Sequence, residues 1–331
     1  NCMKKILGLG NALVDALIQI DNDNIFKELS LHKEGMTLIE ESTHKKIANC
    51  LKSLSFKRST GGSAGNALSC VAALGSDASF VGRIGADENG AFYEAESRKR
   101  GIHFIPLRDR TLPTGVANTF ISEGGQRTFA TYLGAAALLE AEHLEQVMPH
   151  DVDYVFIEGY LVQNHQLIER AVELSHQRGA KVCLDLASWN IVESEHAFFQ
   201  ALLPQIDIVF ANEDEARAMT GKIGEEAARI LAQTCQIAVV KCGPRGAFAV
   251  EGEQCVYTPA TPVSHVIDTT GAGDFFAGGF LHRHALGGSL TACLHEGAAC
   301  AGEVIQVIGT QLPDSTWQRL RTQHAACGDQ Q

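Results

Sequence analysis

The apolar positions along the chain fall into two alternating patterns. Short, mainly apolar runs at 4–9, 78–84, 153–158, 180–185, 206–211 and 237–241 have the length and all-round hydrophobicity of strands buried on both faces. Between them, apolar residues return every three or four positions. That spacing predicts helices over 43–54, 64–74, 88–100, 164–178, 214–220 and 225–234. Thr43 is an N-cap candidate for the first, and Gly101 closes the third. Strands alternating with helices imply a mostly parallel sheet covered on both faces. The rhythm breaks where two strands, 114–123 and 126–133, flank Glu123-Gly124-Gly125-Gln126, a hairpin signal. A small β appendage is expected there, joined by strands around 13–20 and 36–40. Residues 246–258 read as a hairpin or meander, helices follow near 273–286 and 290–306, and the polar tail after Pro313 is expected to be peripheral.

Composition narrows the function classes. The chain has 331 residues, of which 45% are hydrophobic and 20% charged, enough for a sizeable globular core. Its net charge of -12 argues against nucleic acid as a partner, although a local site can still take an anionic nucleotide. No apolar stretch reaches membrane-spanning length and no signal peptide is seen, so a membrane partner is not expected. Ten scattered cysteines without a CxxC pair favour reduced thiols in a cytoplasmic protein. The thirteen histidines form no HExxH or His/Cys cluster, so structural zinc is not expected.

The chemistry concentrates in Asp268-Thr269-Thr270-Gly271-Ala272-Gly273-Asp274, which runs into a small-residue helix. Gly271 and Gly273 let bare N–H groups approach a ligand, and a helix N-terminus adds the positive end of its dipole. Together they form an anion site suited to a migrating phosphoryl group. A carboxylate inside an anion site is unexpected unless it has a task. Asp274 can accept the proton of an attacking hydroxyl. A bare Gly-x-Gly-Asp string more often marks a capped helix after a turn; here the surrounding constellation favours chemistry. Rival phosphate motifs are weak. Leu13 stands where a dinucleotide fingerprint requires Gly or Ala, and Gly221-Lys222 is followed by Ile223 and lacks the upstream Gly of a phosphate loop.

These residues resemble the ribokinase-like, or PfkB, carbohydrate kinase family, from Gly8 to about Pro313. Gly61-Gly62-Ser63-Ala64-Gly65-Asn66 is similar to its substrate signature, and Gly82 to Gly90 to its second glycine block. The resemblance implies a three-layer α/β sandwich, with a mostly parallel central sheet and a small β-sheet lid. The whole of 1–331 is then one kinase domain, with the lid built from about 12–42 and 102–134. It also implies ATP and Mg2+, with Asp274 as base and the amides of Gly271, Ala272 and Gly273 as anion hole. Asn212 and Glu215 match the NxxE element that organises Mg2+ and phosphates, partly through water. Lys241, Gly243 and Gly246 match the nucleotide loop; Lys241 replaces a frequent Thr, and it either touches a phosphate or only packs its stem. Asp268 and Thr270, near Gly309, resemble the monovalent-cation site of some members, which makes K+ a candidate ion.

For the acceptor, the positions of Asp15, Gly62 and Asn66 hold the sugar in this family; Asn11 and Ser63 lie beside them. A carboxylate and two amides suit vicinal hydroxyls, although Asn11 and Asp15 alone would read as turn residues. Gly10 to Asp15, Pro113-Thr114-Gly115, 127–136, 157–160 and 309–313 are most similar to the adenosine kinase branch. Phe129, Leu133 and the Tyr160-Leu161 pair would then line a pocket for a base; Phe129 and Leu133 read equally well as lid-core residues on one face of a strand. Met36 departs from the branch, standing where adenosine kinases place a polar base contact. Arg127 either swings toward the phosphates on lid closure or is a plain hairpin arginine. The expectation is an ATP-dependent kinase for the primary hydroxyl of an adenosine-like nucleoside, monomeric or homodimeric. Alternatives are a kinase for ribose, fructose or a sugar acid, and a catalytically silent ligand-binding homologue.

Overall fold

The computed structural model describes residues 3–31, 33, 36–52, 56–122 and 127–327. Its strands are β1 (Lys5–Leu9), β2 (Leu13–Gln19), β3 (Met36–Leu38), β4 (Phe56–Gly61), β5 (Asp77–Gly85), β6 (Ile102–Asp109), β7 (Gly115–Ile121), β8 (Arg127–Tyr132), β9 (Tyr154–Glu158), β10 (Lys181–Asp185), β11 (Ile208–Asn212), β12 (Ile237–Lys241), β13 (Ala247–Glu251) and β14 (Gln254–Thr258). The large sheet has nine strands in the order β14-β13-β12-β11-β10-β9-β1-β5-β6. From β12 to β6 neighbours are parallel, and β13 and β14 extend one edge as antiparallel strands.

Both faces are buried, as the continuous apolar runs require. Val182, Leu184, Val209, Ala238 and Val240 pack on one side with the helices His165–Gln177 and Gly224–Leu231. Tyr154, Phe156, Cys183, Ile208, Phe210, Ile237 and Val239 pack on the other with the helices Ser63–Leu74, Ala272–Ala285 and Leu290–Val304. Side chains alternate along a strand, so each of these rows continues two residues on. The continuations are Glu158, Asp185, Asn212 and Lys241, and they set a polar shelf at the carboxyl edge beneath the Ala272 helix. The chain runs outward from β1 through β5 and β6, then returns to β9 on β1's other side. That reversal is the switch point at which open α/β sheets take ligands.

A second sheet of five strands, β3-β8-β7-β2-β4, lies apart from this edge in the hydrogen-bonding pattern. Ala16, Ile18, Val116, Phe120 and Ala130 bury one of its faces against Phe26 and Ile47 of two short helices. Phe26 meets Phe120 edge-on, with centroids 5.9 Å apart. The register puts Asp15 with Ala117 and Thr119 with Phe129 on the opposite face.

Three expectations need correction. Residues 102–109, expected in the lid, form β6, the edge of the large sheet. Pro106 and the charged end Arg108-Asp109 hide it from pattern reading, and proline is tolerated on an edge. Conversely, β4 belongs to the small sheet although it lies outside 12–42 and 102–134. Its sequence Phe-Lys-Arg-Ser-Thr-Gly carries one large apolar residue, as a polar edge strand does. The expected hairpin turn Glu123 to Gln126 lies outside the described residues. The tail is not peripheral: Asp314–Cys327 is a helix whose Trp317 and Leu320 are buried, and Trp317 stacks on Phe275 of the Ala272 helix at 5.8 Å. Two apolar residues three apart are too few to announce this by periodicity. Trp317→Ala should lower the unfolding free energy by about 3 kcal/mol in urea denaturation; an unchanged midpoint would show that the tail helix is not part of the core.

Candidate active site

At the switch point the buried carboxylate of Glu158 ties two loops together. It accepts from the Asn11 amide at 2.9 Å and from the Ala64 amide at 2.8 Å. Gly62, the N-cap of the Ser63–Leu74 helix, offers no side chain, so Glu158 from β9 supplies the anion at that helix mouth. Burial pushes its pKa up to about 7 despite these bonds. Gly10 is required here, because a Cβ would meet Glu158 Oε2 at 2.3 Å. Asn11, expected at the sugar, therefore gives its backbone N–H to Glu158.

The Ala272–Ala285 helix begins at Gly271, whose φ of 76° is left-handed and favours glycine. Of the three amides expected as an anion hole, that of Ala272 is spent on the Thr269 carbonyl at 3.2 Å. This is a correction: the turn closes on itself there. Among the described residues, the amides of Gly271 and Gly273 have no protein acceptor. Asp274 lies in the first turn of the helix, half-buried. Its carboxylate accepts from Ser63 Oγ at 2.7 Å and Asn66 Nδ2 at 3.0 Å, and Asn66 Oδ1 accepts from Thr310 Oγ1 at 3.3 Å. Ser63 and Asn66, expected on the sugar, thus hold the candidate base. Burial raises the Asp274 pKa to about 6; the Asn66 and Ser63 bonds oppose the rise, and the Asp185 charge adds to it.

On the shelf, Lys241 Nζ donates to Asp185 Oδ2 at 3.0 Å, and both side chains are nearly buried. Burial pulls the Lys241 pKa down, but the Asp185 and Glu215 carboxylates outweigh it and leave it raised. A Cβ on Gly273 would stand 3.1 Å from Lys241 Nζ, so the ammonium lies against the helix mouth. Asn212 caps the helix Glu213–Thr220 in a capping box. Its side-chain oxygen accepts from the Glu215 amide, and its amide and Nδ2 each donate to Glu215 at 2.7 Å. Burial and the Asp185 charge raise Glu215 to about 7. Asp185, Glu215 and Asp274 thus oppose one ammonium, Lys241, in an all-oxygen setting. That excess of negative charge and that donor chemistry fit Mg2+. Asp268 accepts from the Thr270 amide at 3.0 Å and from the Gly309 amide at 2.8 Å, which ties the start of this loop to Gly309. Gly246 closes the β12–β13 connection, where a Cβ would strike the Thr258 carbonyl at 2.0 Å; Gly243 has open space around it.

On the small sheet, Asp15 lies over Gly61, where a Cβ would touch its carboxylate at 2.1 Å. Gly62, with φ 87°, similarly lets the chain pass 2.2 Å from the Asn11 carbonyl in Cβ terms. Burial lifts Asp15 to about 7; Arg100 opposes this, and Asp274 and Asp268 reinforce it, so Asp15 shares the field of the helix mouth. Phe129 and Leu133 are half-buried. Tyr160 follows β9 and keeps 37% of its surface; burial and the Asp185 and Asp274 charges push its phenol pKa up, so it too belongs to this cleft. Its expected companion Leu161 is instead core on the far side of the large sheet. The Arg127 side chain lies outside the described residues. Glu158 and Asp185 were missed as site residues. Their signal was available: each is the polar residue that ends a buried strand in register with an apolar row.

Known proteins share this architecture. Residues 36–317 match the model of the pfkB family of carbohydrate kinases. The chain belongs to that family. It is a ribokinase-like phosphotransferase that acts on a hydroxyl group, and its resemblances place it in the adenosine kinase branch. The adenosine kinase of Schizophyllum commune is 30% identical over 336 residues, covering 93% of this chain and 96% of its own. The crystal structure of adenosine kinase from Sinorhizobium meliloti has a TM-score of 0.86 at 31% identity, covering 97% of this chain and all of that one. A probable sugar kinase from Rhizobium etli CFN 42 has a TM-score of 0.87 at 31% identity, covering 97% and 98%.

For this PfkB kinase, the raised Asp274 pKa has a stability consequence. A carboxyl whose folded pKa exceeds its unfolded value loses stability when ionised; the loss is full above the folded pKa and fades as pH falls through it. Asp274→Asn keeps partners for Ser63 and Asn66 and removes the charge. It should therefore melt a few degrees above wild type at pH 8, with the margin shrinking as pH falls through about 6. A variant that is less stable at pH 8 would show that the ionised carboxylate is favourably held.

Proposed function

We propose that this chain transfers the γ-phosphate of ATP to the primary 5′-hydroxyl of an adenosine-like nucleoside, with Asp274 as general base. The observation that carries the phosphoryl-transfer reading is the pairing of a carboxylate at a helix mouth with two amides, those of Gly273 and Gly271, that have no acceptor among the described residues. The acceptor hydroxyl gives its proton to Asp274 as the γ-phosphoryl group passes to its oxygen. The bond from the γ-phosphorus to the β,γ-bridging oxygen breaks, and ADP leaves with that bond's electron pair on the oxygen. Ser63 and Asn66 fix the base in line, which matters more than its basicity because the transition state is loose.

Lys241, Asn212 and the loop containing Gly243 meet the nucleotide's phosphates in this reading. Mg2+ would be held by Glu215, partly through water, and when bound it neutralises phosphate charge. The small sheet is a lid within a single kinase domain, and Asp15 on its inner face grips the ribose hydroxyls. Phe129, on the same face, offers an aromatic surface to a base, which a plain sugar would not use. Adenosine kinase relatives at modest identity support the nucleoside; the sugar kinase from Rhizobium etli supports the alternative equally by shape.

A coupled ADP-release screen over nucleosides and sugars tests this directly. Adenosine or a close analogue should give turnover; ADP release with ribose or fructose and none with any nucleoside would reject the acceptor. Asp274→Asn should lower turnover by about 10²-fold or more while ATP binding is retained. Turnover near wild type would remove the assigned base.

A further inference from the structure

Lys241 and Asp185 are not strand neighbours. Lys241 ends β12 and Asp185 ends β10, with β11 between them. At about 4.8 Å per strand, the lysine stem and the aspartate together bridge about 10 Å across the end of β11. Glu215, whose charge also acts on Lys241, has its two oxygens held by the Asn212 amide and Nδ2. Asp185 is aimed in turn: its Oδ1 accepts from the Ala187 amide at 2.9 Å, which leaves Oδ2 for Lys241. Ala187 has a φ of 70°, a left-handed value that costs a residue with a Cβ roughly 1 kcal/mol or more. Gly159 makes room for this turn, since a Cβ there would approach the Asp185 carbonyl to 2.5 Å. The strain is therefore local to a turn whose result is the orientation of one carboxylate.

The ammonium so held lies beside Gly273, and an ammonium has three donors, of which Asp185 takes one. The remaining N–H groups sit against the helix mouth, where the amides of Gly271 and Gly273 have no acceptor among the described residues. Without Asp185, the hydrogen bond that holds the ammonium off Asp274 would be gone and only the Glu215 charge would oppose the attraction of Lys241 toward Asp274, so that pairing would bind up the base.

We propose that Asp185 is a positioning residue for phosphoryl transfer: it anchors the Lys241 ammonium across the end of β11, so that the charge meets the nucleotide's terminal phosphate and stays off Asp274. This rests on the reading of the helix mouth as the phosphate site. Asp185 touches neither phosphate nor acceptor; it acts through Lys241.

The test is ATP affinity by titration calorimetry without acceptor, for wild type, Lys241→Met, Asp185→Asn and the double variant. Lys241→Met should weaken binding by about 10-fold or more, the scale of one charge-assisted hydrogen bond. Asp185→Asn should weaken it several-fold in the wild-type background and change little in the Lys241→Met background. In steady state it should also raise the KM for ATP more than it lowers kcat. Equal fold-losses in both backgrounds, or no loss from Asp185→Asn, would overturn the proposal. If Asp185→Asn alone fails to fold, the double variant strands neither charge, and its affinity compared with Lys241→Met decides: equality supports the anchor, further loss refutes it. A wild-type chain that binds ATP and phosphorylates only sugars would reject the nucleoside reading and leave this comparison intact. One that binds no ATP would overturn both.

Discussion

The site depends on one carboxylate held at the mouth of a helix by donors from another helix. Asp274 accepts from Ser63 and Asn66, and through Asn66 it is connected to Thr310. Two remote stretches of chain are therefore tied to this carboxylate, the Ser63 helix directly and the Thr310 loop through Asn66. Behind them, the Glu158 carboxylate pins the start of the Ser63 helix to the loop after β1. If Glu158 let go, Ser63 and Asn66 would lose their reference to the sheet, and the base would lose its aim. Packing reinforces this from the rear, where Trp317 presses on Phe275, the residue after Asp274.

The same edge carries an excess of negative charge. Burial raises Asp15, Glu158, Glu215 and Asp274 above the usual carboxylate range, to about 7 for the first three and about 6 for the base. Such a cluster costs stability in the unliganded chain and is typical of functional sites. It would suit a reaction that brings phosphate with its counter-ions: the carboxylates would hold the cation, and the amides of Gly271 and Gly273 with the Lys241 ammonium would meet phosphate oxygens. Lys241 is at the boundary between these two fields.

Much of this was legible in the chain because burial on both faces writes parallel strands as continuous apolar runs. The runs near 153–158, 180–185 and 237–241 became β9, β10 and β12 almost residue for residue. The glycine-rich entry was legible because Gly271 and Asp274 have distinctive backbone and charge requirements. What escaped did so for physical reasons. β4 and β6 are edge strands, buried on too little surface to require a pattern. Glu158 and Asp185 act through partners remote in sequence, the amides of Asn11 and Ala64 and the ammonium of Lys241, and only the sheet order brings these together. Ser63 and Asn66 were found as site residues, but their hydrogen bonds to Asp274 depend on the packing of two helices that no local spacing encodes.

The central claim is that Asp274 takes the proton as phosphate moves. Its carboxyl must be ionised to do so, and burial sets that ionisation near pH 6. The pH dependence of kcat/KM for the acceptor, measured at saturating ATP, tests this most directly. The account predicts an acid limb that bends near pH 6, with the rate falling about tenfold per unit below it, and no such limb in the residual activity of Asp274→Asn. A profile that stays flat down to pH 5, or the same limb surviving in the variant, would contradict it.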